Sequence, residues 1–286
     1  MVLLTTRQQQ KLRVILAVFF ILCSSIIIII IIIIGVDNST TLNPVLAQQQ
    51  QQQDDNGINN RKVLWVDVKD FISSGTAEEI SAAIQSASPS TGGGGTSYSA
   101  IVLALDTPGG SLDATFRIIG AIQQASVPII GYVYPQGKSA WSAGTIILLA
   151  TDYAAMAPVT TIGSAQPVVG TEPVNDSKVV NAVAEKAISL AELHKRNATQ
   201  AARFVTHNDN LTPEKALQRN VIDAIAVNPE QLLTKADSTT VVTFNGEKVL
   251  HTANSQIINH ESGLRIQLIN FLSNPLIATT LLTVGF

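Results

Sequence analysis

Residues Ala100 to Leu105 read Ala-Ile-Val-Leu-Ala-Leu, an apolar run without a single polar interruption. A strand that is apolar on both faces must be covered on both, as in a parallel sheet lying between layers of helix. The surrounding sequence supplies such layers. Val63 to Val68 reads as a strand. Thr76 to Ser86 reads as a helix, with Thr76 as N-cap and Glu79 completing a capping box. Leu112, Phe116, Ile119 and Ile122 repeat at helical spacing. Val127 to Tyr134 is a further strand, Ser142 to Ala150 a small apolar helix, Ala154 to Met156 a short strand and Lys178 to Lys195 a long helix. Thr212 caps another helix, with Pro213 at its first position, and Val221 to Ala226 is again strand-like. This alternation predicts an α/β fold with a mainly parallel sheet and right-handed crossovers. Beyond it, Val241 to Val249 reads as a hairpin, with Asn245-Gly246 expected to form a type I′ turn.

The two ends differ from this middle. Residues Val14 to Val36 carry no charge and include nine consecutive isoleucines, Ile26 to Ile34. The stretch is long enough to cross a bilayer as a helix. Arg7, Lys11 and Arg13 precede it and Asp37 follows, so the positive-inside rule keeps the N-terminus in the cytoplasm and exports the rest. It is either a retained anchor or a signal peptide cleaved near Val45-Leu46-Ala47. Residues 37–60, with a glutamine run from Gln48 to Gln53, have the composition of a disordered linker. Gly92 to Gly95 reads as a flexible loop. At the other end, Gly263 to Leu272 is amphipathic, and Pro275 to Phe286 is apolar and too short to span a membrane. The expected division is 1–36 signal or transmembrane segment, 37–60 linker, 61–262 folded domain and 263–286 C-terminal segment.

Composition removes several classes of function. A net charge of −3 with few aromatics and no basic stripe argues against nucleic acid as a partner. The one cysteine, Cys23, lies in the apolar run, which excludes disulfides within the chain and a cysteine nucleophile in the folded part. His194, His207, His251 and His260 show no metal-ligand spacing, so no metal or other cofactor is expected.

Chemistry is concentrated in Gly137-Lys138-Ser139-Ala140-Trp141-Ser142-Ala143-Gly144-Thr145, small residues around serines where a strand hands over to a helix. Backbone N–H groups at such a helix start can hold an oxyanion. Ser142 is the better placed nucleophile because Ala143 and Gly144 follow it; Ser139 is its rival, and close packing of helix on sheet accounts for Ser142 as well. Gly109-Gly110 after Pro108 forms a second strand-to-helix turn that lets backbone approach a ligand closely. A serine needs a base. Lys178, at the start of the long helix, is a candidate because the positive end of the helix disfavours a second positive charge. Lys138 and His207 are alternatives, as is a purely solvated role for each.

At these residues the chain resembles the N-terminal protease domain of NfeD-type membrane-bound serine proteases. The resemblance runs through Leu105-Asp106-Thr107-Pro108-Gly109-Gly110, Tyr132-Val133-Tyr134-Pro135, Ser139 to Thr145, Met156-Ala157-Pro158, Thr161-Ile162-Gly163, Arg196-Asn197-Ala198-Thr199 and Leu211 to Leu217. It implies a ClpP/crotonase-like fold of stacked ββα units with a mainly parallel sheet, related to signal peptide peptidase A. It implies a Ser142–Lys178 catalytic dyad, with Gly109, Gly110 and Ala143 as the oxyanion hole. It further implies a hydrophobic segment of a membrane protein as substrate, with a stomatin-like partner, and a homodimer or higher oligomer at the cell membrane with its catalytic domain extracytoplasmic. Trp141 stands where the family has small residues, and the loop before Lys178 is short. The family commonly continues into transmembrane helices where this chain ends. An inactive protease-like scaffold for membrane-protein assembly and a crotonase-type acyl-CoA enzyme are the alternatives, the latter disfavoured by export.

Overall fold

The computed structural model describes residues 61–87, 98–170, 172–174, 176–261 and the single positions 280 and 283. The chain divides into two compact units, Met1–Asp55 and Asn56–Phe286, and the fold described here belongs to the second. The N-terminal segment, the linker, the glycine loop and both C-terminal segments read from the sequence lie outside the described residues. Among the described residues, no helix is long and apolar enough to cross a membrane.

In chain order the strands are β1 (Lys62–Ile72), β2 (Ala100–Gly110), β3 (Ile129–Val133), β4 (Ser139–Trp141), β5 (Tyr153–Met156), β6 (Thr161–Gly163), β7 (Val168–Val169), β8 (Glu172–Pro173), β9 (Asn210–Leu211), β10 (Ala224–Ile225), β11 (Thr240–Thr243), β12 (Gly246–Val249) and β13 (Gln256–Asn259). The helices are α1 (Ser74–Ala87), α2 (Leu112–Gln123), α3 (Ala143–Ala150), α4 (Ser177–Leu193), α5 (Ala198–Thr206), α6 (Pro213–Gln218) and α7 (Pro229–Ala236).

The apolar run that demanded two covers is β2, and it has them. Leu103 and Leu105 enter one core, which includes Ile80 and Ile84 of α1, Ile118 and Ile119 of α2, and Ile147 of α3. Ala100, Val102 and Ala104 alternate to the other, with Trp65, Tyr132, and Leu232 and Leu233 of α7. The period of two along a strand makes this division. Burying each large aliphatic side chain contributes roughly 2 kcal/mol.

Strand β2 also organises the sheet. On one side it pairs in parallel with β1, from Val63↔Ala100 to Ile72↔Gly110. On the other it pairs in parallel with β3 as far as Leu105↔Val133, and then with β4 at Thr107↔Ala140. Its last residues therefore change neighbour. Beyond β3 lie β5 and β10, both parallel; beyond β4 lie β6, parallel, and β9, antiparallel. Strand β13 adds in parallel to β1. The mixed α/β fold with a mainly parallel sheet is as expected.

Local details depart from the sequence reading. Helix α1 starts at Ser74, and Ser73 Oγ, not Thr76, accepts the Thr76 N–H at the N-terminus. The hairpin of β11 and β12 is present, but Phe244 and Asn245 form the loop between the paired residues Thr243 and Gly246. Gly246 carries a positive φ of 108° at the start of β12, and Asn245 does not have a positive φ. The glycine thus serves a bulge after the turn, not the second position of a type I′ turn.

Candidate active site

The segment from Ser139 to Ala150 makes a strand, a sharp corner and a helix in succession. Ala140 faces the core, and Gly144 sits against it: a Cβ on Gly144 would lie 2.6 Å from Thr107 Cγ2 and 3.1 Å from Ala140 Cβ. Helix α3 can therefore start immediately after β4. All of α3 is buried.

Ser142 is the corner. Its backbone has φ 52° and ψ −116°, outside the regions an L residue ordinarily occupies. Such a conformation costs about 1–3 kcal/mol and needs surrounding structure to impose it. Three contacts do so. The Ser142 N–H donates to Gly163 O at 2.8 Å, and Ser142 O accepts from Thr145 N and Ile146 N. Thr145, fully buried, then ties the corner to β6: its Oγ1 accepts from Gly163 N at 2.8 Å, and its single proton is shared between Ala140 O at 2.8 Å and Gly163 O at 3.0 Å. Ser142 Oγ makes no capping bond, which leaves it free at the mouth of the helix.

Gly109 faces this hydroxyl. Its φ is 112°, and a Cβ there would lie 2.6 Å from Ser142 Cβ, 3.0 Å from Ser142 Oγ and 3.3 Å from Ala143 N. Gly109, Ser142 and Ala143 thus converge, as the sequence suggested. Gly110 also packs tightly: a Cβ there would strike Ile72 O at 2.2 Å, so the glycine lets β2 close against β1. The Gly109 N–H donates to Thr107 Oγ1 at 3.0 Å, and the same buried hydroxyl donates to Asp70 O. In this arrangement the Gly109 N–H is held within the chain, while Ala143 N stands at the open first turn of α3.

Lys178 is the second residue of α4. Its backbone N–H is capped by Asp176 Oδ1 at 2.9 Å, its side chain is exposed, and no hydrogen bond joins it to Ser142. Lys138 is ion-paired with Asp106 at 3.0 Å. His207 ends α5 and its Nδ1 lies 2.7 Å from Thr206 Oγ1. Ser139, the rival nucleophile, lies on β4 with ordinary backbone, paired with Thr161. Among the described residues, no group of three His, Cys, Asp or Glu side chains could hold a metal ion.

Sequence reasoning overlooked Thr145, Thr107 and Gly163 as supports of the corner. Thr145 had a signal: it is the one polar residue in Ala-Gly-Thr-Ile-Ile-Leu-Leu-Ala, and a hydroxyl in so apolar a helix must find a partner.

The chain matches the family model "NfeD1b, N-terminal domain" over residues 62–254. It is 40% identical over 194 residues to the membrane-bound protease PH1510 of Pyrococcus horikoshii, a match covering 65% of this chain and 44% of that protein. The chain thus aligns with less than half the length of that relative. Among solved structures, a lysine-to-alanine mutant of the 1510-N membrane-bound stomatin-specific protease, in complex with a substrate peptide, superposes with a TM-score of 0.68 at 34% identity, covering 74% of this chain and 98% of that one. A serine-to-alanine mutant of the same protease gives a TM-score of 0.65 at 35% identity, covering 71% of this chain and 99% of that one.

Proposed function

We propose that this chain, which belongs to the NfeD1b N-terminal domain family, is a membrane-associated serine endopeptidase with a Ser142–Lys178 dyad. The observation that carries the reading is the strained corner at Ser142, whose hydroxyl makes no capping bond and lies beside Gly109 at the first turn of α3. Ser142 Oγ attacks the scissile carbonyl and Lys178 takes its proton once bound peptide excludes water. Ala143 N–H holds the developing oxyanion, joined by the Gly109 N–H when it turns from Thr107, and Gly110 keeps that turn closed against β1. Collapse of the tetrahedral intermediate breaks the C–N bond, with the Lys178 proton passing to the leaving amine; Lys178 then deprotonates a water that attacks the acyl-enzyme, and the proton returns to Ser142 Oγ as the acid product leaves. The related protease named as stomatin-specific supports a hydrophobic segment of a stomatin-like membrane protein as substrate. On this reading the fold is one of stacked ββα units over residues 61–262, the protein is a homodimer or higher oligomer, and residues 1–36, a retained anchor or a cleaved signal segment, put the catalytic domain outside the cytoplasm.

A serine-directed acylating probe tests it. An adduct on Ser142 that is lost in Lys178→Ala supports the dyad. Labelling that survives Lys178→Ala removes the lysine from the mechanism, and peptide cleavage that persists in Ser142→Ala overturns the assignment. One observation favours a second reading, an inactive scaffold: no base hydrogen-bonds to Ser142 Oγ. A base often closes only on bound substrate, so the probe decides between the two.

A further inference from the structure

The register across β4, β6 and β9 places Trp141 opposite Gly163, and Gly163 opposite Asn210. These residues form a row across three strands. The neighbouring row, Ala140, Ile162 and Leu211, is buried in the core, so the row of Trp141 lies on the other face. Gly163 cannot be replaced without collision: its φ is 134°, and a Cβ would lie 2.0 Å from Asp209 O. The glycine thus lets β9 close against β6, and on the exposed face beside Trp141 there is a notch of about 320 Å³, lined by Trp141, Thr161, Ser164 and Asn210.

The notch is built and adjoins the nucleophile. Trp141 Nε1 donates to Thr161 Oγ1 at 2.9 Å, which fixes a ring that is still 43% exposed. Ser164 Oγ and Asn210 Oδ1 satisfy each other at 3.0 Å, and Asn210 Nδ2 donates to Asn208 O. Gly163, which precedes Ser164 and pairs with Trp141, accepts the Ser142 N–H at 2.8 Å, and Trp141 directly precedes Ser142. Each polar side chain of the walls is already engaged in a hydrogen bond, no ionisable side chain lines the notch, and the flat indole is its apolar contact surface.

Resting on the protease reading above, we propose that this notch is a specificity subsite that receives a bulky uncharged side chain of the substrate, flanking the scissile bond and lying against Trp141. A charged side chain would lose its water there without gaining a partner.

Peptides that differ in one residue beside the cleaved bond test the selectivity. Phe or Leu at that position is expected to exceed Ala about 10-fold in kcat/KM, with Lys and Asp below Ala. Trp141→Ala is expected to bring the apolar-to-alanine ratio to near unity, and Trp141→Phe to keep most of it. An unchanged ratio in Trp141→Ala overturns the subsite. Binding separates this failure from failure of the protease reading. In a Ser142→Ala, Trp65→Phe chain, Trp141 is the remaining tryptophan, and a Phe-containing peptide is expected to shift its emission while the Asp-containing one does not. If Ser142 takes no probe yet Trp141 responds, the subsite stands and the catalytic reading falls. If Trp141 responds to neither peptide, the subsite is wrong.

Discussion

Ser142 occupies backbone space that few residues tolerate, and Thr145 is the side chain that most directly keeps it there. Its hydroxyl bonds both the carbonyl before the corner, Ala140 O, and the residue that holds the Ser142 N–H, Gly163. Thr145→Val keeps the shape and removes the hydroxyl. On the protease reading it is expected to lower kcat about 10- to 100-fold with KM little changed, because the Ser142 hydroxyl relaxes by a fraction of an ångström. Stability should fall by about 2 kcal/mol, since Gly163 N loses its partner. Thr145→Ser should recover both, and steady-state kinetics beside urea unfolding check the pair of effects. Gly109→Ala is a harsher test. Its φ of 112° and the approach to Ser142 leave no room for a methyl group, so probe labelling of Ser142 should be lost while urea unfolding stays cooperative. That Gly109 and Ser142 would meet was legible in the sequence because small residues crowd both strand-to-helix turns, although close packing accounted for them as well and is what the missing Cβ of Gly110 serves. Thr107 was not, since its role depends on a bond to Asp70 O, 37 residues earlier.

At the scale of elements, α3 is gripped at both ends. Its N-terminus hangs from Gly163 through Ser142 and Thr145. Its C-terminus meets Arg196, whose side chain is only 1% exposed; Nη1 donates to Leu149 O and Thr151 O while Nη2 pairs with Asp223 Oδ2 at 2.8 Å. A cation at the carbonyl end of a helix is favourably placed. Asp223 in turn accepts from Ala154 N, so the same pair ties α3 to β5. Arg196→Met is expected to cost about 3 kcal/mol in urea unfolding, because the helix carbonyls lose their donor and Asp223 its cation. Long elements were visible from the sequence: β2, α2 and α4 declare themselves by apolar period. The short strands β4, β6 and β9 were not, for two or three residues carry no period. Their pairing depends on β2 changing neighbour at Thr107, which is a tertiary fact. The same short strands make the notch beside Ser142, so its lining could not be read in advance, although Trp141 had already stood out as bulky in a run of small residues.

For the whole molecule, two buried groups near Arg196 oppose each other in their response to pH. Burial pushes the Asp152 carboxyl up to about 6, against the Ile129 N–H it accepts and the nearby Arg196 charge. Burial, with Arg196 second, pushes His194 down to about 4. The folded chain holds the Asp152 proton more tightly than the unfolded chain does, so this group's stabilisation is complete below pH 3.8 and is lost as pH rises through about 6. For His194 the unfolded chain holds the proton more tightly, so stability is complete above pH 6.5 and is lost as pH falls through about 4. At ~1.4 kcal/mol per pH unit of separation, each effect is worth roughly 3 kcal/mol across nearly the same window. The two slopes cancel, and stability of the intact protein should be almost flat between about pH 4 and 6. The carboxylates held low, Asp209 chiefly by Arg203 and Asp237 by the backbone N–H of Ala253, act only below that window. Removing one member exposes the other. Asp152→Asn should become more stable as pH rises through the window, and His194→Gln less stable, each by up to about 3 kcal/mol. Urea unfolding at three pH values across the window measures both slopes. Parallel curves for Asp152→Asn and the unaltered chain would show that the carboxyl is ionised in the fold throughout.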